Sequence, residues 1–206
     1  MRCKYKPWAV QYLIDHPEVS KEKFDAKDEY FNCSKLALEI GSGKGDFLIT
    51  LAKRNPNTHY VSIEVIRSVA GVLAKKIIDN KIDNIILYPL DVEVLFEAIP
   101  DGFFDVIYLN FSDPWPKKKH AKRRLTFHKF LDQYHRLLKP NGKVIFKTDN
   151  TALYEFSMEE FKNSKFINVS FIDDYVFDEE NDAMTEYETK FRAEGKTIHK
   201  IIAQRS

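Results

Sequence analysis

Two cysteines in 206 residues, Cys3 and Cys33, exclude a scaffold built on disulfides. With no C-x-x-C pair and no His/Cys spacing suited to a metal, they predict idle thiols in a reducing compartment and no metal site. Long apolar runs are missing too: nothing approaches the ~20 residues that span a bilayer. Basic residues stand at the N-terminus, but Pro7, Gln11, Asp15 and His16 interrupt any stretch that would serve as a secretion signal. There are no internal repeats and no Gly/Ser linker, and little overall charge: 32 Lys and Arg against 31 Asp and Glu leave a net +1. Any electrostatic preference must therefore lie in how the charge is distributed. What these absences leave is a soluble, cytoplasmic chain, long enough for one α/β domain with a continuous core and short for two.

Glycine is also scarce, seven in all, yet three stand at alternate positions in Glu39-Ile40-Gly41-Ser42-Gly43-Lys44-Gly45. The apolar run before them and the helical spacing of Phe47, Leu48, Leu51 and Ala52 after them read as strand, tight turn, helix. Such a turn admits a ligand close to the backbone and aims the unpaired N–H groups of the helix at it. The spacing is G-x-G-x-G rather than the G-x-G-x-x-G of dinucleotide folds, which disfavours a nicotinamide oxidoreductase. His59 to Glu64 reads as the next strand, and an acid at its carboxyl end is placed to accept the hydroxyls of a ribose.

Residues 1–35 read as an arm with one short helix around Val10 to Asp15, and 36–206 as the domain. Trp8 offers a face for base stacking, but an aromatic in an arm more often docks on its own domain. From 36 onward, strands at 36–40, 59–64, 85–88, 104–109 and 143–147 alternate with helices at about 45–54, 68–80, 92–98, 127–138 and 151–161. In the second of these helices Val69, Val72, Leu73, Lys76 and Ile77 make one face, the lysine snorkelling. Strands near 166–171 and 197–203, joined by a long excursion without a helix, close one edge as an antiparallel pair. The prediction is an α/β, Rossmann-like, doubly wound, mostly parallel seven-stranded sheet with an antiparallel edge hairpin and helices on both faces.

In such a sheet the segments just after the strands converge: Gly41 to Gly45, Glu64, Asp91, Asn110 to Trp115, and Lys147 to Asn150. Four of these five hold a carboxylate, Glu64, Asp91, Asp113 and Asp149. Asp91 suits an adenine amino group and equally suits the N-cap of the helix after it. Pro114 and Pro116 hold Asp113 in a stiff turn beside Trp115. Directly afterwards Lys117-Lys118-Lys119-His120-Ala121-Lys122-Arg123-Arg124 puts six cations in eight residues on the ligand rim, which reads as phosphate neutralisation. Asp173 to Glu188 is the opposite, eight carboxylates with no Lys or Arg, and reads as a mostly solvated flap in which Glu188 offers a carboxylate to the N1–H and N2–H₂ edge of a guanine.

The segment Glu39-Ile-Gly-Ser-Gly-Lys-Gly45 resembles motif I of class I S-adenosylmethionine-dependent methyltransferases. Ser112-Asp113-Pro114-Trp115-Pro116-Lys117-Lys118-Lys119-His120 with Lys122-Arg123-Arg124, then Thr148-Asp149-Asn150, then Thr185-Glu186-Tyr187-Glu188-x-Lys190-Phe191, are similar to the bacterial tRNA (guanine-N7)-methyltransferases, which modify guanosine 46 of the variable loop. The resemblance runs over nearly the whole chain, including the Arg2-x-x-Tyr5-Lys6-Pro7-Trp8 opening. It implies S-adenosylmethionine as cofactor, held by Glu39, Gly41, Gly43, Gly45, Glu64, Asp91 and Asp113. Asp113 is also the implied catalytic position. Lys117, Asp149, Thr185 and Glu188 are implied at the target nucleotide, and Lys119, His120, Lys122, Arg123 and Arg124 on the RNA. It further implies tRNA as the partner, with no protein partner required and a monomer or homodimer as the working form. Two rivals remain on the residues alone. An adenine-N6 enzyme would carry D/N-P-P-Y/W, but the second proline here stands after Trp115. A non-catalytic RNA-binding protein would have lost the cofactor acids or glycines, and all are present.

Overall fold

The computed structural model describes residues 5–206; Arg2 and Cys3 lie outside them. The strands make a mixed, seven-stranded sheet, mostly parallel with an antiparallel edge pair, as the alternation of elements predicts. The chain divides into two compact units, Met1–Pro100 and Asp101–Ser206.

The first unit opens with α1 (Pro7–Asp15), started by a proline at a position where its missing N–H costs nothing. It continues with β1 (Lys35–Ile40), α2 (Asp46–Arg54), β2 (Thr58–Ile63), α3 (Arg67–Asp79), β3 (Ile85–Tyr88) and the single turn α4 (Val92–Leu95). β1, β2 and β3 are parallel neighbours, with Ile40, Ile63 and Tyr88 abreast. Described residues ahead of β1 pack into this unit. Ala9 and Leu13, four apart on α1, are buried, and Ala9 sits so close to α3 that a Cβ on Gly71 would lie 1.8 Å from the Ala9 carbonyl oxygen. Ser20 bridges in parallel to Leu87 on β3. The Tyr30 hydroxyl donates to the Tyr60 carbonyl at 2.7 Å.

Two local expectations are corrected here. Trp8 is not docked but 48% exposed, because it falls off the Ala9/Leu13 stripe; Lys6 Nζ lies 5.9 Å from its ring centroid. On α3 the buried face is Ala70, Gly71, Leu73, Ala74 and Ile77, with Val69 and Val72 half-buried, since small residues are what the close approach of α1 requires. Lys76 is half-buried and its ammonium pairs with Asp46, the first residue of α2.

The second unit comprises β4 (Phe104–Asn110), α5 (His128–Leu137), β5 (Leu138–Thr148), α6 (Thr151–Lys162), β6 (Ile167–Ile172), α7 (Glu186–Ala193) and β7 (His199–Gln204). β4 and β5 are parallel, with Asn110 opposite Lys147; β7 runs antiparallel to β5 on one side and to β6 on the other. β5 is longer than its apolar run suggests, because Pro140-Asn141-Gly142 is an irregularity within the strand, Asn141 at φ +64°, rather than a turn before it. The excursion before β7 also contains a helix, α7. No described helix is long and apolar enough to cross a membrane.

Candidate functional site

In the first unit the site begins where β1 ends. The N–H groups of Gly41 and Ser42 bond the Ile63 carbonyl at 2.8 and 3.3 Å, closing the glycine turn onto the end of β2. Gly41, Gly43 and Gly45 all have positive φ (77°, 57°, 79°), but they face different surroundings. A Cβ on Gly45 would lie 2.1 Å from Leu73 Cδ1, so that glycine serves the packing of α2 on α3; a Cβ on Gly41 or Gly43 would meet nothing within 4 Å. The turn therefore opens on free space. Glu64 is its keystone. Buried at 6% exposure, it accepts the Gly43 N–H on Oε2 and the Ile66 N–H, at the start of α3, on Oε1, both at 2.9 Å. One carboxylate thus fixes the turn and sits at a helix N-terminus, where negative charge is favoured. Glu39 is buried in β1. Asp91 stands three residues past Tyr88 on β3; it is exposed and caps α4, accepting the Glu93 N–H at 3.0 Å. Strands ~4.8 Å apart in this register carry Glu39, the glycines, Glu64 and Asp91 along one edge of the unit.

In the second unit the loop after β4 carries Asp113. Phe111 extends the ladder, its N–H on the Lys147 carbonyl at 2.8 Å. Phe111 and Trp115 both adopt positive φ, 51° and 41°, where a bulky side chain is strained. Asp113 and Lys117 are exposed. Lys118–Arg123 form a 3-10 helix on which Lys119, Lys122 and Arg123 face solvent and His120 is half-buried, its ring edge-on to Trp115 at 5.8 Å. The Arg123 guanidinium lies 4.9 Å from the Trp115 ring. Arg124, expected on RNA with the rest, differs. Its Nε–H donates to the Pro114 carbonyl at 3.0 Å and its Nη2–H to the Trp115 carbonyl at 3.1 Å, over the ring of Phe156 at 4.3 Å.

Asp149 is half-buried and pairs with Lys196 at 3.1 Å. Thr185 caps α7, its hydroxyl accepting the Glu188 N–H at 2.9 Å. Glu188 is not in a position to face a base: it is fully buried, with Lys147 Nζ 2.7 Å from Oε2 and Arg192 Nη2 2.9 Å from Oε1. The flap is correspondingly not all solvated. Asp182 is buried too, bonded by Lys147 at 3.2 Å, Lys200 at 3.0 Å and the Tyr175 hydroxyl at 2.8 Å. Burial would raise the Asp182 carboxyl, but Lys147 and Lys200 outweigh it and hold the group below the ordinary carboxylate value. Burial, reinforced by Asp182, pushes the Tyr175 phenol well above its usual range.

This ionic cluster is what the sequence reading missed. Two signals point to it: a lysine at the end of the apolar Val144-Ile145-Phe146 run, and Thr185-x-x-Glu188, the pattern of a helix start.

A family model described as "Putative methyltransferase" matches residues 33–201. A tRNA (guanine-N(7)-)-methyltransferase of Lactobacillus johnsonii is 42% identical over 98% of each chain, and one of Lactiplantibacillus plantarum is 41% identical over 98% of each. Among solved structures, an antibiotic-related methyltransferase superposes with a TM-score of 0.62 at 18% identity, covering 88% of this chain and 94% of the other, a likeness of fold. An identity of this size, held from one end of the chain to the other, places the protein in the family of the tRNA (guanine-N(7)-)-methyltransferases.

Proposed function

We propose that this protein methylates N7 of a guanosine in tRNA, position 46 of the variable loop, using S-adenosylmethionine. The observation that carries the reading is the chain-long identity to relatives bearing that activity in their names. The free space before Gly41 and Gly43, bordered by a buried carboxylate, fits the nucleoside end of the cofactor. Glu39, Gly41, Gly43, Gly45, Glu64 and Asp91 would hold it. The cofactor supplies an electrophilic methyl group on a sulfonium.

Guanine N7 carries an in-plane lone pair and no proton, so the chain need not provide a general base. It must orient the base for in-line attack and favour the positive charge that grows on the purine. Asp113, an exposed carboxylate on a stiff loop, takes both tasks. Lys117 donates to guanine O6 or holds a phosphate, and Asp149 and Thr185 flank the target nucleotide. Lys119, His120, Lys122 and Arg123 neutralise phosphates, which gives affinity and salt dependence without sequence selectivity. A folded tRNA buries its guanine edges, so the target base is drawn out of its stack. The reaction needs no protein partner, proceeds on a monomer or homodimer, and belongs to the cytoplasm.

The test incubates purified protein with unmodified tRNA and methyl-labelled cofactor, then applies borohydride and aniline, which cleave at 7-methylguanosine. Cleavage at position 46 is expected. Label without cleavage, mapped by mass spectrometry to an exocyclic amine, would overturn the N7 assignment.

A further inference from the structure

The turn that carries Asp113 cannot hold itself. Pro114 and Pro116 have no N–H to donate, and Phe111 and Trp115 occupy backbone conformations that bulky residues avoid. Trp115 is doubly disfavoured, because a residue before proline is pushed towards extended geometry and this one has φ +41°. Something outside the loop has to keep it there. Arg124 meets the need: two donors on one edge of its guanidinium bond the successive carbonyls of Pro114 and Trp115 at 3.0 and 3.1 Å, while its plane lies over Phe156 of α6. A guanidinium presents paired, coplanar donors and stacks on aromatic rings; an ammonium does neither.

We propose that Arg124 is the positioning residue of the Asp113 loop and not a ligand of the RNA. The inference rests on the proposed role of Asp113. The two adjacent arginines divide the labour. Arg123 is exposed at the end of the basic helix, its charge open to phosphate, and Arg124 is half-buried with its donors turned inward.

Four variants test this. Arg124→Lys keeps the charge and removes the paired donors. It should lower kcat about ten- to a hundredfold, the scale of a misplaced reacting group, while the tRNA Kd and its salt dependence stay within about twofold of wild type, below the smallest change expected from losing a phosphate contact. Phe156→Leu, which touches no phosphate, should lower kcat in the same direction with tRNA binding intact. Arg123→Gln should weaken tRNA binding and reduce the salt slope by about one. If Arg124→Gln instead flattens the salt slope as Arg123→Gln does, with kcat kept, Arg124 is a phosphate ligand and the proposal falls.

A readout independent of catalysis comes from Trp115, one of two tryptophans. In a Trp8→Phe background, acrylamide should quench Trp115 more readily once Arg124 is lysine. Unchanged quenching would overturn the proposal. Should wild type give no aniline-cleavable product, the functional reading fails while the quenching still judges the loop.

Discussion

The turn after β1 and the loop after β4 meet the same backbone demand in opposite ways. Both take the chain through positive φ at the end of a parallel strand. The first does so with Gly41, Gly43 and Gly45, for which the conformation is cheap, and needs one carboxylate, Glu64, to fix it. The second does so with Phe111 and Trp115, for which it is costly, and is braced by side chains from elsewhere in its own unit. A glycine turn leaves room for a ligand and pays in chain entropy. An aromatic loop gives a stiff, ring-bearing surface and depends on side-chain donors that bond its carbonyls. The glycine turn should therefore break at the backbone, the aromatic loop at its charged braces.

The largest effect is expected at Lys147. Its ammonium is fully buried and joins Asp182, Glu188 and the Ala183 carbonyl. Lys147→Met would leave two buried carboxylates short of a cation, at a cost of about 3–5 kcal/mol, read by urea denaturation. A loss under about 1 kcal/mol, the scale of an exposed pair, would mean that the cluster does not hold the flap. The same variant changes the acid limb. In wild type the folded Asp182 titrates below its ordinary value, so its stabilisation is complete above about pH 4 and is lost as the pH falls through the lowered value. Without Lys147 that loss should begin at higher pH.

This contrast also explains what the sequence discloses. The glycine turn, Glu64 and the Asp113 loop are legible because each is local: strand pattern, breaker residues and one acid sit within a few positions. Arg124 is hidden because composition cannot separate one cation from the five beside it; only the carbonyls of Pro114 and Trp115 mark it. The flap is hidden for the converse reason. Eight acids look solvated until Lys147, Lys200 and Arg192 are found against two of them, and Lys147 lies 35 and 41 positions from its partners Asp182 and Glu188. α7 escapes because its helix is mostly polar, although Thr185-x-x-Glu188 marks its start.

The glycine turn should fail next, and unevenly. Gly45→Ala combines a left-handed backbone with a Cβ driven into buried Leu73, and should cost about 2–4 kcal/mol by thermal unfolding. Gly41→Ala meets open space, so only the backbone penalty of about 1–2 kcal/mol applies. Its larger consequence is lost affinity for S-adenosylmethionine, measured by calorimetry, because the added methyl enters the space assigned to the cofactor. Equal stability losses at the two positions would erase the distinction between a packing glycine and a ligand-facing one.

The smallest effect on folding, and the sharpest test of the first unit, belongs to Asp91. Its carboxylate caps α4 through the Glu93 N–H, and Asn caps nearly as well as Asp, whereas Ala loses about 1 kcal/mol. Asp91→Asn should therefore melt like wild type. If Asp91 also accepts the adenine amino group, the neutral amide is a weaker acceptor than a carboxylate and cofactor affinity falls while stability does not. If Asp91→Asn binds the cofactor as tightly as wild type, capping is the whole of its work, and the grip of this edge on the cofactor comes down to the glycine turn and the buried carboxylates beside it.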